Sequence, residues 1–359
     1  MTKLDSVLRE IEPADGPSRR KAEERLRQLT MPFWALGRLM DLAVDLAGMT
    51  RSMNPPVGRK TIAVMAGDHG VTAEGVSRYP REVTVQMVHN FVNGGAAINA
   101  LSRLAGARVA VVDLGVAGNL EGLAREGKIL GKKIGPGTRN LLREPAMSRG
   151  EAVRAIEAGI DTALEMSGAT DVFGTGDMGI GNTTPSGAII SVFSGRPAEE
   201  IAGHGTGLDE EQRRHKIDVI EQALLLHRPD PADPIGILQK VGGFEIGGIA
   251  GLILGSAAKR KPVVVDGFIS TAGALIACAL SPTAADYVIA SHRSMERGHR
   301  IALDALGKKP LLDLDMRLGE GTGAVLAMHL LEAAVRILTE VATFEEAMVS
   351  RETRPEPAA

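Results

Sequence analysis

The chain has 359 residues, with 41 Lys+Arg against 44 Asp+Glu and a formal net charge of −3. That balance lacks the basic footprint of a nucleic-acid binder, and aromatics at 3% leave too few rings for a single-strand stacking platform. Apolar residues at 44% and charged residues at 24% describe a soluble globular chain long enough to bury a full core.

The N-terminal stretch Met1 to Glu24 is mixed in charge and has no apolar h-region, so no signal peptide is expected. Residues 1–50 read as helices: Arg19 to Arg27 is charged, and Trp34, Leu36, Leu39, Met40, Leu42, Ala43 and Leu46 recur at helical spacing. The segment 53–58, Met-Asn-Pro-Pro-Val-Gly, breaks the pattern. Short apolar runs typical of buried strands follow at 61–66, 109–114, 171–173, 262–266, 287–290 and 310–314. Helical stretches are expected between them at 83–104, 149–166, 185–194, 235–241, 245–259, 271–280 and 295–306, with a strongly apolar last helix at 323–341 that returns to the N-terminal helices. Alternating strands and helices imply an α/β fold whose parallel sheet is covered on both faces and binds ligands at the carboxyl ends of its strands. The longest apolar stretch, Ile246 to Ala258, is interrupted by glycines and too short for a bilayer, which takes roughly 20 residues. The single cysteine, Cys278, lies in an apolar run, reads as core and suits a reducing cytoplasm. The polar tail 350–359 holds two prolines and is expected to be disordered.

The 43 glycines are the compositional outlier and suit tight turns and close backbone approach to a ligand. Gly174, Gly176 and Gly179 satisfy G-x-G-x-x-G, with Glu199 and Glu200 about 20 residues on, the arrangement of a dinucleotide site. Thr184 as N-cap with Pro185 behind it is a better helix start, which makes Gly174 to Ser186 a long loop of amides and hydroxyls suited to one phosphate. Gly203 to Asp209 alternates glycines, and Lys216 beyond it can offer a point charge to a phosphate. In Arg317 to Gly323, Glu320 stands between glycines before an apolar helix. Partial desolvation there raises a carboxylate towards general-base use, although a helix-start cap is the plainer reading. Ser291 to Ser294 can add donors, and Asp68-His69-Gly70 reads as a dyad or a side-chain-stabilised turn. The eight histidines show no metal-ligand spacing, and the P-loop, H-E-x-x-H, C-x-x-C and G-x-S-x-G patterns are absent.

Together these segments resemble the nicotinate-nucleotide–dimethylbenzimidazole phosphoribosyltransferase family, the CobT family of cobalamin biosynthesis. The likeness runs in order from about residue 30 to 345: 66–71, Thr84 to Met87 leading into 90–99, 174–186, 203–209, 241–247, 265–268, 291–294 and 317–323. It implies a transferase joining the phosphoribosyl group of nicotinate mononucleotide to 5,6-dimethylbenzimidazole, with no metal or redox cofactor. It also implies a homodimer, while the single cysteine, the charge balance and the apolar-run lengths leave a cytoplasmic location and no nucleic-acid or membrane partner as the expectation. The implied fold is a large Rossmann-like domain, 56–322, and a small helical domain built from 1–55 and 323–349. By resemblance Glu320 is the general base. Asp177 occupies a second acidic position, commonly Glu in relatives. Gln86 lines the base pocket, and Gly176, Asn182, Gly205, Lys216 and Ser294 fall where relatives hold the nucleotide and its phosphate. Gly179, Thr183, Gly203 and Leu318 belong to the same motifs and complete the candidate substrate contacts. The alternatives are the same transfer to another base such as adenine or a phenol, an NAD-linked oxidoreductase resting on the glycine pattern, and a non-catalytic nucleotide sensor.

Overall fold

Lys60–Gly67, a short run rich in apolar and β-branched residues and buried throughout, makes the central strand β1, covered on both faces. In the computed structural model, which describes residues 2–205, 207 and 209–350, β1 is flanked by β2 (Ala107–Gly115) and β4 (Val172–Met178). The short β3 (Leu130–Gly131) extends one edge, and β5 (Val263–Val265) and β6 (Val288–Ala290) extend the other. All pairings are parallel, and the order is β3-β2-β1-β4-β5-β6. The direction of strand succession therefore reverses between β1 and β4, and this switch point opens a crevice at the carboxyl ends.

Helices cover both faces. An added Cβ at Gly174 of β4 would meet Ile62 of β1 and Met328 and Ala324 of the Thr322–Glu340 helix. Met65, three residues along β1 and therefore on the opposite face, lies beside Gly248 of the Phe244–Ala258 helix. The N-terminal helices Gly16–Leu26 and Arg38–Thr50 meet the Thr322–Glu340 helix. Arg25 Nε donates to the Leu338 carbonyl at 2.8 Å, and Thr30 N donates to the Ala342 carbonyl at 3.0 Å. One core cluster runs without a break from Leu4 through the sheet to Leu338. The Thr322–Glu340 helix is long and apolar enough to cross a membrane by length and composition, and that apolarity goes into core contacts such as Val325, Met328 and Leu331.

Five of the six expected strands form. The sixth, 310–314, contributes only a single bridge, His292 to Leu312, because Asp313 and the chain beyond it turn out to solvent. The expected 83–104 helix is two helices, Val83–Val92 and Ala97–Ala105, parted where Gly94 takes a φ of +77°. The helix expected from Pro185 begins at Thr183 with Asn182 as N-cap, since a proline fits anywhere in a first turn whose N–H groups lack intrahelical partners. The Glu210–His227 helix was not among the expected elements, because its sequence is charged and shows no apolar stripe. Its Asp209–Gln212 capping box was the readable cue. Residues 351–359, expected to be disordered, lie outside the described residues, as do Thr206 and Leu208.

Candidate active site

The loops after β1, β4, β5 and β6 and the segment 317–321 converge at the carboxyl edge of the sheet. They bound a cleft of about 460 Å³ lined by Asp177, Asn182, Thr183, Gly205, Ser294 and Leu318, together with Tyr79, Phe268, His292, Glu296 and Arg317. Six of the sequence-derived candidates thus meet on one surface.

Glu320 is not among the lining residues; it follows Leu318 and Gly319, which are. Gly319, Glu320 and Gly321 all have positive φ, at +87°, +62° and +94°. Two glycines adopt such a turn without strain, whereas a glutamate adopts it at a cost. Three buried N–H groups hold the turn in place: Gly321, Gly323 and Ala324 donate to the Asp266 carboxylate at 3.1, 2.8 and 3.0 Å. Gly176 permits the approach from the other side, because a Cβ there would lie 2.5 Å from the Glu320 carbonyl oxygen. The Glu320 carboxylate accepts the Ile98 N–H on Oε2 at 3.1 Å and is 7% exposed. Burial raises its pKa above the ordinary glutamate value, partly opposed by that hydrogen bond.

Asp177 is the penultimate residue of β4, opposite Met65 of β1. Burial first, and then the charge of Asp266, push its pKa to about 8, while the Asn182 Nδ2 donor at 3.0 Å pulls the other way. Asp266 itself is pushed to about 7, burial outweighing its three N–H donors. The site therefore holds three buried acids that resist simultaneous ionisation. Beside them His69 Nε2 and Glu245 Oε1 form a wholly buried pair at 2.8 Å.

At the other end, Lys216 is 1% exposed and donates to Thr183 Oγ1 at 2.6 Å, with Gly205 beside its ammonium. Burial lowers it to about 8, with the Glu296 carboxylate pulling upward. A buried ammonium, a hydroxyl and a glycine turn at the start of the Thr183–Ser194 helix are a donor set suited to an anion.

Other candidates lie elsewhere. Gly174 and Gly176 are inside β4, not in a strand-to-helix turn, so the dinucleotide reading of that glycine pattern fails. Gly176 and Gly179 face backbone, of Glu320 and Gly67 respectively, rather than the cleft. Gly203 lines a neighbouring hollow with Arg213, Glu296 and Arg317. Gln86 is exposed on the Val83–Val92 helix and is not among the residues lining the cleft. Asp266 and His299 were missed as contributors. An Asp-Gly step directly after a buried strand was the available signal for the first.

The six-stranded parallel sheet, with buried acids and a buried lysine gathered at the carboxyl ends of its strands, is the architecture of an α/β enzyme. The family model described as "Phosphoribosyltransferase" matches residues 11–349. The chain belongs to the nicotinate-nucleotide–dimethylbenzimidazole phosphoribosyltransferase family. It is 58% identical over 98% of its length, and 99% of the relative's, to the protein of that name from Syntrophotalea carbinolica. It is 54% identical, at the same coverages, to the one from Geobacter sulfurreducens. The crystal structure of CobT from Thermus thermophilus superposes with a TM-score of 0.89 at 47% identity, covering 94% of this chain and 100% of that one.

Proposed function

We propose that this chain transfers the 5-phosphoribosyl group of nicotinate mononucleotide to 5,6-dimethylbenzimidazole, giving α-ribazole 5′-phosphate and nicotinate. The observation that carries the reading is the buried Glu320 carboxylate, with its raised pKa, fixed on a rigid turn at the edge of a cleft whose far end holds a donor set suited to an anion.

The substrate's pyridinium is already cationic, so its C–N bond can break with the electron pair returning to a neutral ring nitrogen and no acid need assist. A benzimidazole nitrogen forms the new bond from the opposite face of the anomeric carbon, inverting β to α. As that nitrogen becomes cationic, the other ring N–H becomes acidic, and Glu320 takes its proton. General-base assistance of this kind is worth about 10²–10⁴-fold, and holding both reactants in one cleft removes the cost of a bimolecular encounter. Lys216, Thr183, Gly205, Asn182 and Ser294 seat the nucleotide, so phosphate binding energy acts at the reacting bond. Asp177, with a pKa of about 8, is neutral below that pH and acts as a hydrogen-bond donor rather than a base. Leu318, which lines the cleft, is assigned to the aromatic base, and Gly176, Gly179 and Gly203 to the shape of the loops. The protein is read as a cytoplasmic homodimer, each chain dividing into a large unit, 56–322, and a helical one, 1–55 with 323–349.

The test is to incubate the purified protein with nicotinate mononucleotide and a panel of bases, including adenine and phenols, and to read products by mass. Equimolar nicotinate and α-ribazole 5′-phosphate is the expected result. Nucleotide binding without nicotinate release would leave a sensor instead.

A further inference from the structure

One fully buried imidazole near the cleft has no part in the chemistry above. His299 opens the His299–Leu306 helix and is 0% exposed. Both of its ring nitrogens are bonded. The Ser294 N–H donates to Nδ1 at 2.8 Å, so Nδ1 carries no hydrogen. Nε2–H therefore donates to Thr271 Oγ1 at 2.9 Å, and the Thr271 hydroxyl passes its own hydrogen to the Gly267 carbonyl at 2.8 Å. The directions are consistent only for a neutral ring in one tautomer. Ser294 and Gly267, at the two ends of this relay, both line the cleft, on the loops that follow β6 and β5. A second tie joins the same loops, from Ser291 Oγ to the Asp266 carbonyl at 2.9 Å.

We infer that His299 is a positioning residue, a one-tautomer acceptor that fixes the Ser294 N–H and the loop carrying it and so shapes the nucleotide end of the cleft. The inference rests on the proposed reading of that cleft. Its physical content is that a buried N–H at Ser294 has its acceptor inside the protein, on the ring, so the loop carrying Ser294 does not rearrange to find another. Burial, with His292 nearby, holds the His299 pKa at about 3, which keeps Nδ1 an acceptor across the working range. The ring is walled off from solvent and bonded at both nitrogens, so it takes no proton from substrate.

Two near-isosteric amides separate the ring's two hydrogen bonds. In His299→Asn the amide oxygen occupies the Nδ1 position and still accepts from Ser294. In His299→Gln the amide reaches Thr271 but leaves the Ser294 N–H unpaired. Nicotinate mononucleotide is titrated calorimetrically into each full-length variant, with steady-state kinetics and a melting curve alongside. The Gln variant is expected to weaken nucleotide binding about tenfold or more, the effect of one unpaired buried N–H, with KM rising far more than kcat falls. The Asn variant is expected to bind within about threefold of the parent. Equal nucleotide affinity in parent and Gln variant, or equal loss in Gln and Asn variants, overturns the inference, and a lowered melting temperature alone would mark the residue as merely structural. Should the Gln variant fail to fold, His299→Leu, which fills the buried site with an apolar side chain and offers the Ser294 N–H no acceptor, carries the same expectation and the same refutation. If the parent protein takes up no nicotinate mononucleotide, the reading of the cleft falls and this inference with it; if the parent binds and the variants are unaffected, the inference alone falls.

Discussion

Replacing Glu320 by Gln changes one atom's chemistry and little else. The amide oxygen still accepts the Ile98 N–H, now held at 3.1 Å by Oε2, and the left-handed backbone at 320 is as costly for Gln as for Glu. What remains facing the incoming heterocycle is an NH₂ group, which cannot accept a proton and opposes the ring N–H. General-base help worth about 10²–10⁴-fold corresponds to about 3–5 kcal/mol of barrier, at about 1.4 kcal/mol per tenfold. The variant should therefore lose at least about a hundredfold in turnover while titrating with nicotinate mononucleotide as the parent does, because the donor set at Lys216 and Thr183 is untouched. Single-turnover nicotinate release, read against pH, is the assay. In the parent, the rate should fall as pH drops through a limb above the ordinary glutamate range, the direction burial dictates. In the variant that limb should vanish. Folding should not suffer: a carboxylate with a raised folded-state pKa is a liability once ionised, so the Gln variant should gain stability relative to the parent as pH rises. Parent-level turnover, or an acid limb that survives the substitution, would remove Glu320 from the chemistry.

Three further substitutions probe separate parts of the site. Asp177 has a folded-state pKa of about 8 against an ordinary 3.8, so its stabilising protonated form is lost as pH rises through that window. The melting temperature of Asp177→Asn should climb relative to the parent across the same window, and a pH-independent difference would contradict the assignment of burial as the cause. Lys216→Ala should raise the nucleotide KM about 10- to 100-fold with a smaller change in kcat, the scale of a charge-assisted hydrogen bond; unchanged affinity by calorimetry would move the phosphate elsewhere. Gly176→Ala puts a methyl 2.5 Å from the Glu320 carbonyl oxygen and should cost about 1–3 kcal/mol of stability, as overpacking does, together with most of the activity. An active variant with an unchanged melting temperature would show that β4 and the 319–321 turn have room to part.

The sheet was legible because each buried strand is a short, unbroken apolar run, and burial on both faces is what such a run reports. The elements that escaped did so for local reasons. Residues 310–314 carry the same apolar start, yet Asp313 and Asp315 draw the chain outward after one bridge. The Glu210–His227 helix hides its buried side, including Arg213 and Lys216, under a charged sequence, and only its cap announces it. Gly174 and Gly176 looked like a turn because glycine is rare inside strands; they are there because Ile62, Met328 and the Glu320 backbone press against β4. The site motifs were visible as glycine-rich segments, but which of them face the cleft depends on the pleat. Asp177 looks into it, whereas Gly176, one residue earlier, looks at backbone.

That alternation explains why the acids sit where they do. A left-handed conformation at a glutamate costs on the order of 1–3 kcal/mol, and a turn with three consecutive positive φ values would not persist unaided. Asp266 supplies the restraint: hydrogen bonds to a carboxylate are worth about 1.5–3 kcal/mol each, and three of them grip the backbone on both sides of Thr322. The grip exceeds the strain, so Glu320 is held at one position before any substrate arrives. The same arrangement sets the chemistry. Asp266 must be buried to reach those amides, and its proximity is among the causes that drive Asp177 up to about 8. The restraint that positions Glu320 therefore also adds to the burial that raises Asp177. Glu320 is raised by burial and drawn back down by the Ile98 N–H, so the hydrogen bond that fixes its carboxylate also opposes the effect of its burial.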